Sequence, residues 1–106
     1  MSGIIGNYAR NSIIIRKRVG FVDGKPVFED FNGIAMIFDF SRGDVSLFGA
    51  IQNGKVFLVA PNIPEAPEVH GQVIYDGQTY DIHGVKTYRN IKGELVGYKV
   101  AVAGGV

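Results

Sequence analysis

Short runs of β-branched and aromatic residues, interrupted by Asp-Gly and Asn-Gly pairs, set the rhythm of this chain. The pairs Asp23-Gly24, Asn32-Gly33, Asn53-Gly54 and Asp76-Gly77 suit the positive φ angles of tight turns and mark expected strand ends. Between them the pattern predicts strands at Ser12 to Val19, Val27 to Phe31, Ile34 to Phe40, Lys55 to Ala60, Gln72 to Tyr75, Thr79 to Tyr88 and Leu95 to Ala103. The segment Gly20 to Pro26 is the expected hairpin connection between the first two. Ile34 to Phe40 is apolar on both faces, with Ile34, Met36, Phe38 and Phe40 on one side and Ala35 and Ile37 on the other. That is the mark of a central strand. In the last strand Val96, Tyr98, Val100 and Val102 share the face expected to be core.

Two segments lack the strand pattern. Ser41 to Gln52 suits a single helical turn capped by Ser41 or Asp44, and Ala60 to Gly71 holds three of the four prolines. Loops of this length are uncommon in a compact domain and are often functional. The first carries Val45, Leu47, Phe48 and Ile51, apolar groups that pack either on the protein's own barrel or on a partner. The expected architecture is all-β: a small antiparallel β-barrel or sandwich of six to seven strands with long loops. A single domain spanning 1–106 is expected, with a flexible N-terminal arm at 1–11 and a C-terminal tail at 103–106.

Composition narrows the function classes. With 106 residues, 46% hydrophobic and 20% charged, the chain has enough apolar surface for one core. Eleven Lys and Arg against ten Asp and Glu leave a formal charge of +1, far from the basic excess that grips nucleic acid or anionic membranes. The absence of cysteine excludes disulfides, thiolate metal sites and cysteine nucleophiles. The longest apolar run, Val56 to Ala60, is far shorter than the ~20 residues of a membrane helix. Gly3, Gly6, Asn7 and Asn11 interrupt Ile4 and Ile5, so no signal-peptide block is expected; a soluble, unexported protein is.

Chemistry-bearing residues are sparse. Asp81 and His83 lie two apart in a predicted strand, and His70 could approach them from a neighbour, but no further ligand spacing completes a metal site. None of Ser2, Ser12, Ser41 or Ser46 sits in a nucleophile elbow, and no glycine-rich phosphate loop is present. No enzymatic activity and no cofactor are expected. Arg16, Lys17 and Arg18 form a basic run whose charges a strand divides between two faces, as on a protected sheet edge. The adhesion-like tripeptide Arg42-Gly43-Asp44 is short enough to arise by chance. Tyr75, Tyr80, Tyr88 and Tyr98 could form a stacking platform for single-stranded nucleic acid, although core burial explains most of them as well.

The strand ending Phe38-Asp39-Phe40-Ser41, the irregular apolar segment after it, and the later run Val73-Ile74-Tyr75-Asp76-Gly77-Gln78-Thr79-Tyr80-Asp81-Ile82 form a recognisable order. It resembles the head-tail joining proteins of long-tailed bacteriophages, also called head closure, head completion or stopper proteins. Tyr75, Gly77, Tyr80 and Ile82 occupy that family's turn and barrel-return positions, and the likeness runs loosely from Ser12 to Ala103. The chain departs from the family in lacking a clear long helix.

The resemblance implies a virion protein of the neck region, made in the host cytoplasm. It implies a homo-oligomeric ring that joins portal or adaptor proteins to tail proteins, with double-stranded DNA passing through it without specific binding and no membrane involved. It places a channel or gating loop at Ser41, Arg42, Asp44, Val45, Leu47, Phe48, Ile51 and Gln52. The Ala60 to Gly71 loop, through Asn62, Ile63, Pro64, Glu65, Pro67 and Glu68, and the glycine-bearing termini would make contacts with neighbours. The alternatives are a tail-completion or other neck component, or a small nucleic-acid-binding barrel.

Overall fold

A computed structural model describes residues 11–49 and 54–104, with the side chains of residues 46–48 left aside. The chain folds as β1 (Asn11–Val22), β2 (Lys25–Asp39), a helix α1 (Arg42–Phe48), β3 (Gly54–Val59), β4 (Gln72–Tyr75), β5 (Gln78–Arg89) and β6 (Leu95–Gly104). Every strand pair is antiparallel, and the order β1-β2-β3-β6-β5-β4 closes on itself as a six-stranded barrel. The all-β expectation is met, with six strands among the described residues.

Two hairpins turn where the sequence places them. Asp23 (φ 51°) with Gly24 (φ 75°), and Asp76 (φ 52°) with Gly77 (φ 74°), have both central residues left-handed. That is the two-residue turn whose twist matches the strands it joins. The first hairpin is longer than expected: β1 runs to Val22 and β2 starts at Lys25, so most of Gly20 to Pro26 is strand.

Asn32-Gly33 is not a turn. It lies inside β2, paired with Ile14 and Ile13, and so fuses the two strands predicted on either side of it. The glycine answers to packing: a Cβ on Gly33 would lie 3.2 Å from Ile63 Cγ2, so its bareness lets the Ala60 to Gly71 loop settle against the strand. Asn11 belongs to β1, and Ala103 and Gly104 belong to β6, so the ordered barrel takes in the inner ends of the expected arm and tail. The rest of both, residues 1–10 and 105–106, lies outside the described residues.

The barrel interior holds Ile13, Ile15, Ala35, Phe57, Val59, Val73, Tyr80, Ile82, Tyr98, Val100 and Val102. At its centre Phe57 meets Tyr75 edge-on, with centroids 6.0 Å apart at 80°, and Tyr80 at 5.6 Å and 59°. Such pairs add about 0.5–1.5 kcal/mol each beyond the area they bury. The central-strand expectation holds, since β2 is flanked by β1 and β3. Its smaller face, Ala35 and Ile37, points inward. Ile34 and Met36 join Leu58, Val96 and the buried Ala60 in a second apolar cluster on the outside.

Val96 is a correction to the expected core face of the last strand. A bulge between the pairs Tyr88–Gly97 and Arg89–Leu95 leaves Val96 unmatched, so Leu95 packs on the core and Val96 turns outward.

Closure rests on three pairs between β1 and β4: Ile14–Ile74, Ile15–Val73 and Arg16–Gln72. Outside this seam, side chains repeat the strand order. Arg16 reaches Asp30 of β2 through Nε at 3.1 Å and Gln72 of β4 through Nη1 at 3.1 Å, and Gln72 Nε2 donates to Asp81 of β5 at 3.2 Å. Past the seam, Lys17 to Val22 and their β2 partners leave the barrel as a two-stranded arm about 20 Å long.

We predict that Phe57→Ala, which empties the middle of the barrel, lowers stability by about 3–5 kcal/mol in chemical denaturation. Glu65→Ala on the surface is expected to cost less than about 1 kcal/mol.

Candidate functional site

Strand directions divide the candidate residues between the two ends of the barrel. β1, β3 and β5 run one way and β2, β4 and β6 the other. The β1–β2 apex, the Ala60 to Gly71 loop and the β5–β6 apex therefore share one end, while α1 and the β4–β5 turn share the other. The proposed gating segment and the proposed interface loop face away from each other.

In the first segment Ser41, Arg42, Asp44 and Val45 lie at the start of α1. Leu47 and Phe48 lie in its last turn with their side chains outside the described set, and Ile51 and Gln52 are outside the described residues altogether. The expected single turn is a seven-residue helix, and Ser41 is its cap. The Asp44 amide donates to Ser41 Oγ at 3.4 Å, and the Ser41 amide donates to Asp44 Oδ2 at 2.8 Å, a reciprocal capping box.

Asp44 does more than cap. It is 4% exposed, and among the described residues its Oδ1 has only the Lys99 ammonium of β6, 2.6 Å away, to balance it. Burial pushes the carboxyl up, but the Lys99 ammonium, then the Ser41 amide and hydroxyl, outweigh it and hold the group below its ordinary value of 3.8. Val45 is exposed on the same helix. A hollow of about 270 Å³ bounded by Phe38, Asp44, Val56 and Lys99 separates helix and wall. The segment is thus tied to the barrel at its first turn.

The second segment is also partly turned inward. Ile63 packs against the core cluster and Pro67 is buried, while Asn62, Pro64, Glu65 and Glu68 are exposed. Asn62 borders a hollow of about 260 Å³ with Ser12, Asn32 and Ile34. Lys17 clasps the loop through Glu65 at 3.2 Å and Glu68 at 3.7 Å. The hydrogen bond to Glu65 raises the Lys17 ammonium above its usual range; burial opposes this, and the charges of Glu65 and Glu68 add to it. The loop ends in a tight return. His70 is left-handed at φ 75°, the Gly71 amide donates to Glu68 O, and a Cβ on Gly71 would stand 2.6 Å from the Arg16 carbonyl.

Sequence reasoning missed the arm. Phe21 and Val22 are each 61% exposed at its apex, with Val19 and Val27 beside them. The signal was present, because hydrophobic residues directly flank an Asp-Gly turn where polar ones are normal. A bulge at Val19, between the pairs Arg18–Phe28 and Gly20–Val27, shifts the alternation by one. Phe21 consequently lies under Arg18, 4.9 Å from its guanidinium carbon, and Phe28 under Arg16 at 4.5 Å. As expected, the basic run is split: Arg16 meets Asp30 on one face and Lys17 meets the loop on the other.

His70, Asp81 and His83 border one hollow of about 300 Å³ together with Arg18. Among the described residues no group of three or more His, Cys, Asp or Glu could hold a metal ion. Tyr80 and Tyr98 are buried and Tyr75 is half-buried against Phe57, which leaves Tyr88 exposed and gives these four no common outer face. No helix among the described residues is long and apolar enough to cross a membrane. Compared with protein-family models, curated proteins and solved structures, the chain matches none.

Asp44 has its pKa lowered on folding, so the unfolded chain binds its proton more readily. The stability it contributes is present above pH 3.8 and is lost as pH falls below that through the lower folded value. Lys99→Met, which leaves the carboxylate buried without a cation, is predicted to cost about 2 kcal/mol at neutral pH. Urea midpoints measured from pH 3 to 7 should show that deficit shrink at the acid end.

Proposed function

We propose that this chain is a structural assembly subunit of the bacteriophage head-tail connector. In this reading it forms a ring with copies of itself, docks between portal or adaptor and tail, and surrounds the DNA channel as a head closure or stopper protein. The observation that carries the reading is the distribution of surfaces. A closed barrel presents an apolar-tipped arm and a second hairpin at one end and a capped helix at the other. A ring stacked between two other rings requires contact surfaces at both ends.

Three further features support it. The residues that carry the family resemblance fall at structurally consistent places: Gly77 in the β4–β5 turn, Tyr75 and Tyr80 on either side of it against Phe57, and Ile82 in the core. The formal charge of +1 lets DNA pass without strong phosphate contacts. The segment Ser41 to Gln52, assigned here to the channel, starts from a helix end fixed to the barrel by Asp44 and Lys99. Partners in this reading are copies of the chain, portal or adaptor proteins and tail proteins. A tail-completion role is the second reading, favoured by the same two-ended surface. It differs in predicting copurification with isolated tails.

Electron microscopy of the protein mixed with portal-bearing capsids of its own phage should reveal an added ring below the portal. Unchanged capsids, with the protein shown to be folded, would overturn the reading. Deleting Ser46 to Ile51 should leave the barrel folded, because Asp39 and Lys55 already pair across that end at 3.3 Å, while DNA retention or tail attachment falls. Loss of folding on this deletion would refute a pure gating role.

A further inference from the structure

The arm apex has a counterpart on the same chain that it is badly placed to reach. On the outer wall near the β5–β6 hairpin, Leu58, Tyr88 and Val96 floor a groove of about 400 Å³, with Arg89 and Lys99 at its rim. In the order β1-β2-β3-β6-β5-β4, β6 stands three strands from β1 in either direction. The arm is rooted on β1 and β2 and runs out past the end of the barrel, whereas the groove is set in the wall formed by β3, β6 and β5. One feature is convex and apolar, the other concave and apolar, and a second copy supplies what each lacks.

Charge leaves this contact open. Lys86 and Lys99 are direct cross-strand partners, an unfavourable like-charge opposition. Among the described residues the one carboxylate paired with either is Asp44, which is committed to Lys99. Among the described residues Lys86 and Arg89 form no ion pair, so the groove rim carries surplus positive charge. On the arm, Asp30 is engaged by Arg16 and Lys17 by the loop, while Arg18 and Lys25 on the positive side and Asp23 and Glu29 on the negative side form no ion pair among those residues. These four charges balance, and Arg18 stacks on Phe21, so apolar burial of Phe21 and Val22 drives the contact, with Asp23 and Glu29 the groups able to meet the positive rim.

We infer that the β1–β2 arm of one copy docks its Phe21–Val22 apex into the groove lined by Leu58, Tyr88 and Val96 of the next copy. The occupant is a second copy of this chain. Because the two surfaces differ, the contact is head-to-tail: every subunit gives one arm and receives one, and the series ends only by closing into a ring or growing as a filament. The inference rests on the ring-forming reading above and names the contact that would build the ring.

The decisive experiment mixes two variants, each defective on one side. Phe21→Asp spoils the arm and Tyr88→Glu spoils the groove; both positions are exposed, and circular dichroism verifies that each variant folds. In sedimentation velocity the wild type should self-associate, and each variant alone should do so at least about 100-fold more weakly. An equimolar mixture should form heterodimers that grow no further, since one intact arm meets one intact groove. Phe21→Asp associating like the wild type, or a mixture that stays monomeric, would overturn the docking.

Where the wild type is monomeric in solution, the same variants are added to portal-bearing capsids. A ring from the wild type but not from Phe21→Asp upholds the docking. Rings from both defeat it and leave the connector reading standing. No ring from the wild type defeats both.

Discussion

Three residue pairs between β1 and β4 convert a curled sheet into a barrel, and the rest of the structure depends on them. Without Ile14–Ile74, Ile15–Val73 and Arg16–Gln72, β1 and β4 would each present an open edge, and Ile15 and Val73, both fully buried, would lose their enclosure. The seam is short because β4 has four residues. Its strength comes from the core behind it and from the chain Asp30–Arg16–Gln72–Asp81 in front. These polar links are partly exposed and individually weak, yet each joins direct cross-strand neighbours and so fixes register as well as closure.

The seam also explains why the arm exists. β1 and β2 remain paired with each other after β4 has ended, so the hairpin continues past the barrel with neither edge covered by a further strand among the described residues. An uncovered ribbon invites aggregation. Here Lys17, Pro26 and the bulge at Val19 interrupt its edges, while the apex keeps its apolar groups. The same end of the barrel is steadied by the clasp of Lys17 on Glu65 and Glu68, which keeps the long proline-bearing loop against the root of the arm.

Much of this was legible in the sequence, because the signals were local. Asp23-Gly24 and Asp76-Gly77 fixed two hairpins, and alternation in the last strand marked Tyr98, Val100 and Val102 as core. What alternation could not reveal was where it breaks. Val96 left the expected core face, and Phe21 joined the face of Arg18, because a bulge adds a residue without any special side chain to announce it. Gly33 read as a turn because its bareness serves Ile63, thirty positions away. Of the candidate site, a helix cap at Ser41 or Asp44 was readable from the residue types, and the structure gives Ser41 the cap and Asp44 the reciprocal bond. The tether to Lys99 was not, since it joins residues that only closure of the barrel brings together.

The bulge at Val19 gives the arm one residue to spare. Beyond it the pairs Gly20–Val27 to Val22–Lys25 already match β2 one for one, so Val19 is the position the ladder can lose. Removing that codon would leave Arg18 and Phe21 two apart in a plain strand, still on one face, and would exchange the local twist of the bulge for a straighter, more easily paired edge. Length at this point therefore governs how well the ribbon's edge is protected more than the stacking it carries.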